Sequence, residues 1–118
     1  MNFDALRRHC ATLPGATTDI KWGADECHCV GGKMFAVFLL DGRKARNVSF
    51  KCDPVRFLEL TDVPGIVPAP YLARAHWVQV MDGRALTAPQ ARDLVASSHA
   101  LVMAKLPKKA REAIAGGR

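Results

Sequence analysis

The stretch "KMFAVFLLDGRKARNVSFKC", residues 33–52, decides the fold. Its first eight residues are apolar at both parities, the pattern of a strand covered on both faces. Asp41 and Gly42 form a hairpin-turn signal. Residues 46–52 then alternate, with Val48, Phe50 and Cys52 on one side and Asn47, Ser49 and Lys51 on the other. Two strands joined by a tight turn make an antiparallel pair, and the flanking sequence extends it.

Upstream, "TTDIKW" (17–22) alternates, and "ECHCV" (26–30) leads into a second turn signal at Gly31 and Gly32. Downstream, Asp53 and Pro54 suit the cap and first position of a short helix over 53–60. Residues 65–75 are proline-rich and expected to be irregular. "HWVQVM" (76–81) reads as one more strand. Helices close both ends. Phe3, Leu6, Cys10 and Leu13 make an apolar stripe over 2–12, with Asn2 as cap. Thr87 and Gln90 form a capping box for a last helix that Pro107 ends. Its stripe is Ala91, Leu94, Val95, Ser98, Leu101 and Val102. The expected fold is α+β: a single antiparallel sheet of about five strands, with the N- and C-terminal helices packed on one face. At 118 residues the chain reads as one domain over 1–115, with a frayed tail at 116–118.

Strand parity divides the sheet. A two- or four-residue turn after Leu40 puts Phe35, Val37 and Leu39 with Val48 and Phe50 under the helices. Met34, Ala36 and Phe38 then share the other face with Asn47, Ser49 and Lys51; a three-residue turn reverses this. The second face is apolar at its centre and polar at its flank. It is a binding surface or partner interface, or the proline-rich segment folds over it.

The net charge is +6, from 17 Lys and Arg against 11 Asp and Glu. That surplus favours anionic partners and serves solubility equally well. Arg43, Lys44, Arg46 and Lys51 form one basic cluster. Lys105, Lys108 and Lys109, with Arg111, form another. Both can follow a phosphate backbone without reading bases, and both also suit a solvated turn and a helix C-terminus. No helix-turn-helix, zinc finger or aromatic RNA platform accompanies them.

Cys27 and Cys29 are separated by one residue, which is not zinc-ligand spacing, so the four Cys are expected to be reduced and half-buried, with no metal. No apolar run is long enough for a bilayer and no basic-then-apolar leader opens the chain, so a soluble cytoplasmic protein without a membrane partner is expected. Four scattered His, no paired carboxylates and no phosphate-cradling glycine loop favour a binder over an enzyme, with no catalytic residues and no cofactor. In "PYLARAHWVQV" (70–80), parity sends His76 and Trp77 to opposite faces. Trp77 then packs, Tyr71 helps lock the loop onto the sheet, and Arg74 and His76 stay near a rim where an anion can be held.

Five pieces in order, "LRRHCATLPGA", "GGKMFAVF", "FKCDP", "PGIVPAPYLARAHWVQV" and "SSHALVMAKLPKK", resemble the MmcQ/YjbR-like proteins of bacteria over nearly the whole chain. The resemblance implies a CyaY-like fold and DNA binding by a "double wing" of hairpins, with no established reaction or cofactor. It adds Lys33, in "GGKMF", to the ligand candidates Tyr71, Arg74, His76 and Trp77. Leu72 and Ala73 depart from the polar residues that relatives often carry there. Two functions follow as expectations. The first is non-catalytic DNA binding through Arg43, Lys44, Arg46, Lys51, Lys105, Lys108 and Lys109. The alternative is an adaptor for an anionic small molecule or a protein on the mixed face near Tyr71, His76 and Trp77. The expected state is a monomer or weak homodimer.

Overall fold

Local signals set the helix ends. The Asn2 side chain accepts a hydrogen bond from the Ala5 amide and caps α1 (Phe3–Ala11). Asp53 accepts from Arg56 and caps α2 (Pro54–Thr61). Thr87 and Gln90 form the reciprocal capping box at the start of α3 (Ala88–Ala104). The computed structural model of the chain describes residues 1–116. A fourth helix, α4 (Lys108–Gly116), follows Pro107. It takes up Gly116, the first residue of the expected tail; residues 117 and 118 lie outside the described residues. Ala110 and Ile114, one turn apart, pack on the core and hold α4 in place.

The sheet has six antiparallel strands: β1 (Ala16–Lys21), β2 (Asp25–Val30), β3 (Lys33–Asp41), β4 (Lys44–Lys51), β5 (Ile66–Pro68) and β6 (Trp77–Val80). Their spatial order is β1-β2-β3-β4-β6-β5. The sixth strand is β5, inside the segment expected to be irregular. Proline confines it to the sheet edge, where Pro68 needs no ladder donor.

Two bulges overturn part of the parity expectation. The turn at Gly42 and Arg43 is two residues long, since Asp41 pairs with Lys44. Leu40 then pairs with Ala45 but Leu39 with Asn47, so Arg46 is an extra residue. The extra residue flips the register. Val37 and Leu39 therefore share the open face with Asn47 and Ser49, while Ala36 and Phe38 join Val48 and Phe50 under the helices. The second bulge falls at Phe35, because His28 pairs with Ala36 and Cys29 with Met34. It lets consecutive Phe35 and Ala36 both enter the core, while Met34 stays on the open face as expected. The core between sheet and helices joins Leu6 and Cys10 of α1 to Phe35, Phe38, Val48, Phe50, Val78 and Val80, and to Ala91, Leu94, Val95 and Val102 of α3.

A polar chain pins α1 to the sheet. Arg7 grips Glu26 with two parallel hydrogen bonds of 2.8 Å each. It also donates to Asp4 at 2.7 Å and to the Arg43 carbonyl at 2.9 Å. Asp4 in turn accepts the Ala45 amide at 3.0 Å. Behind Glu26 lies His28, fully buried beside the rings of Phe35 and Phe38, with Nε2 2.9 Å from Glu26 and Nδ1 3.3 Å from the Thr18 hydroxyl. An ionised Glu26 accepts a hydrogen bond from Nε2–H, so Nδ1 is the acceptor for the Thr18 hydroxyl.

Burial holds His28 below its ordinary 6.5. The unfolded chain therefore takes up this proton at a higher pH than the folded chain. The stability carried by the neutral ring is complete above pH 6.5 and falls as the pH drops below it. Arg7 chiefly holds Glu26 below its ordinary 4.5, and the Ala45 amide chiefly holds Asp4 below 3.8. Their contribution is present above those values and is lost as the pH falls through them. The urea midpoint is expected to fall in two stages on acidification, and His28→Gln should remove the first. A midpoint unchanged between pH 7 and pH 5 would contradict the neutral buried ring.

Candidate functional site on the open sheet face

The side chains that face away from the helices form cross-strand rows. Asp25, Leu39 and Asn47 make one row, and Val37, Ser49 and Gln79 the next. With Met34 they floor a groove of about 520 Å³. Trp22, in the turn between β1 and β2, stands on one side. Pro70, Tyr71 and Leu72 form the other wall. Volume and lining match a small-molecule site: mostly apolar, with a few polar groups. The Ser49 hydroxyl and the Gln79 amide line the groove and have no protein partner among the described residues.

The walls are held in unusual backbone. Among the described residues, the non-glycine positions with positive φ are Trp22 (52°), Tyr71 (65°) and His76 (61°). Such a residue costs about 1 kcal/mol or more, and this strain concentrates where a side chain must be presented in a set direction. Trp22 is 74% exposed and Tyr71 fully exposed. The Tyr71 loop is closed beneath its tip: the Leu72 amide donates to the Ala69 carbonyl, the Ala69 amide to the Trp77 carbonyl, and the Trp77 amide to the Leu72 carbonyl. Lys51 donates to the Ala75 carbonyl at 2.6 Å.

Of the ligand residues expected from sequence, Tyr71 lines the groove. Trp77 is on the same sheet face but buried, as parity required. His76 packs edge-on against Phe57 of α2, with ring centroids 5.6 Å apart. Arg74 is exposed in a short helical turn over Ala73–Ala75, and Lys33 begins β3. None of these four lines the groove, and full exposure leaves Tyr71 presented outward rather than locking its loop. Trp22, Asp25, Leu39 and Gln79 were not among the site candidates. A solitary Trp beside Gly23 was the available signal, since an aromatic next to a turn glycine marks an exposed tip.

The expected basic set divides in two. Arg43 and Lys44 sit at the turn between β3 and β4, and Arg46 is ion-paired with Asp41. Lys51 lies at the other end of β4, about 23 Å away at the usual rise per residue. There it meets Lys105, which caps α3. Burial first, and then Lys105, lower the pKa of Lys51. Lys108 pairs with Glu112 at 3.8 Å, and Lys109 is exposed. The hairpin tip is bolted to α1 through Arg7 rather than projecting as a free wing.

All four thiols are free and buried. Burial pushes Cys10 up to about 12 and Cys52 to about 11, so neither is poised as a thiolate. Among the described residues no group of three or more His, Cys, Asp and Glu could hold a metal, and no helix is long and apolar enough to cross a membrane.

Sheet order, helix placement and groove together define a small α+β protein with one face of its antiparallel sheet packed and the other open. The chain belongs to the YjbR family, whose sequence pattern matches residues 11–101. Its fold is similar to that of DR2400 from Deinococcus radiodurans, a DUF419 domain protein, with a TM-score of 0.83 and 26% identity. That match covers 97% of this chain and 88% of DR2400. A protein from Pseudomonas syringae shares the fold with a TM-score of 0.70 and 21% identity, over 86% of this chain and 99% of its own. No curated protein matches this chain.

Proposed function

We propose that this protein is a non-catalytic binding module whose open sheet face receives a small molecule with a flat apolar body and a hydrogen-bonding edge. The groove between Trp22 and Tyr71, both held at positive φ, carries the reading. Val37, Leu39 and Met34 take the apolar body, and Asn47, Ser49 and Gln79 take the polar edge. Four free thiols and relatives from two bacteria suit a reducing bacterial cytoplasm as the place of action.

Neutral aromatic fragments and a neutral apolar dye, followed by NMR shifts of groove residues, test this. Leu39 is 40% exposed, so Leu39→Lys leaves the core intact. Losing roughly 60 Å² of apolar contact at about 25 cal/mol per Å² weakens binding about tenfold. Fragments that bind the variant as well as the natural chain would remove the groove from the account.

DNA binding is a second reading, favoured by one observation. Arg43 and Lys44 form no ion pair among the described residues, and Lys44 lines one shallow depression with Arg8 and Arg84, beside Asp4 and Asp82. Duplex anisotropy at two salt concentrations is the parallel arm. If the backbone is held there, Arg43→Gln with Lys44→Gln should lower the salt slope by about 2. An unchanged slope would exclude this end of the sheet.

A further inference from the structure

We infer that the groove is built for an organic cation: a small ammonium- or amidinium-bearing molecule with an aromatic or alkyl body. The inference rests on reading the groove as a ligand site. Its first support is charge. The chain holds 17 Lys and Arg and is +6 overall, yet none of these cations lines the groove. Asp25 is the charged lining residue and forms no ion pair among the described residues; Lys21, its cross-strand neighbour on β1, lies outside the lining. An anion would meet the Asp25 carboxylate there and no lining cation. A cation would meet its counter-charge in a wall of apolar side chains, where the attraction is screened less than in water.

The second support is the pair of walls. Trp22 lies three residues from Asp25 across the β1–β2 turn, and Tyr71 overhangs from the opposite side. Both rings are exposed, and ring faces attract ammonium groups electrostatically. The row Asp25, Leu39, Asn47 spans two strand spacings, roughly 10 Å, enough for one flat body between the walls. The cationic head then sits by Trp22 and Asp25. The body lies over Leu39 and Val37, and any hydrogen-bonding edge reaches Ser49 or Gln79. Lys33, Arg74 and His76, the residues expected to hold an anion, point to no alternative, since none lines the groove.

Three probes with one body and different heads test this: 2-phenylethylammonium, 2-phenylethanol and phenylacetate, titrated against the whole chain by NMR. The ammonium should bind about tenfold more tightly than the alcohol, and phenylacetate most weakly. Asp25→Asn should bring the ammonium close to the alcohol while leaving the alcohol's affinity in place. If alcohol or carboxylate binds as tightly as the ammonium, the cation assignment is wrong and the groove remains a ligand site. If none of the three binds, and the neutral dye and fragments also fail, the ligand-site reading falls with it. The ranking in the natural chain decides the matter even if Asp25→Asn does not fold.

Discussion

Replacing Arg7 by Ala is expected to lower stability by about 3 kcal/mol, the low end of the cost of breaking a buried ion pair. Two features put the effect there. The Arg7 and Glu26 side chains are only 20% and 12% exposed, so solvent screens the pair little. Their contact is also bidentate, and the same guanidinium reaches Asp4 and the Arg43 carbonyl. Without it, Glu26 keeps a neutral His28 as partner and the first helix loses its bond to the Arg43 carbonyl, while that between Asp4 and the Ala45 amide remains. Urea unfolding is the measurement, and the thermal midpoint should drop by about 10 °C for a domain of this size. The companion variant Arg7→Ala with Glu26→Leu should recover part of the loss, because removing both charges leaves none stranded. A cost for Arg7→Ala below about 1 kcal/mol would class the pair with ordinary surface salt bridges.

Ser98→Ala is expected to cost about 2.5 kcal/mol, from a change of one oxygen. The bulge at Phe35 ends the β3–β4 ladder at Ala36 and Phe50. The next would-be pair, Phe35 and Lys51, is bridged instead by the Ser98 hydroxyl. It donates to the Phe35 carbonyl at 2.7 Å and accepts the Lys51 amide at 3.0 Å. Ser98 is wholly buried, so alanine leaves a donor and an acceptor without water. The neighbouring Ser97→Ala, at a half-buried position, should stay within about 0.5 kcal/mol. Equal effects at the two positions would mean that the ladder closes on itself without the hydroxyl.

Ser98 also shows how far the sequence could be read. Its place in the apolar stripe of the last helix identified it as buried, but nothing nearby in sequence revealed its partners. They lie 63 and 47 residues away. Asn47 and Ser49 were legible on the mixed face because strands alternate strictly. Val37 and Leu39 were assigned to the wrong face because the extra residue at Arg46 has no signature of its own. Tyr71 was legible as a candidate for being the chain's one Tyr in a proline-shaped loop. Trp22 was not, since a strand tip looks the same whether or not a groove begins there.

Local sequence pattern was enough for the antiparallel sheet, the helix caps, a tight turn after Leu40 and the existence of a polar-flanked face. Each rests on interactions spanning a few residues: alternation, a capping side chain, a glycine turn. Tertiary structure alone decided which apolar residues floor that face and that Asp25 is its charged lining residue. It also carried the cations to the two ends of β4 instead of one cluster. Those outcomes depend on bulges and on cross-strand rows, where packing between distant segments sets the register that local pattern leaves open.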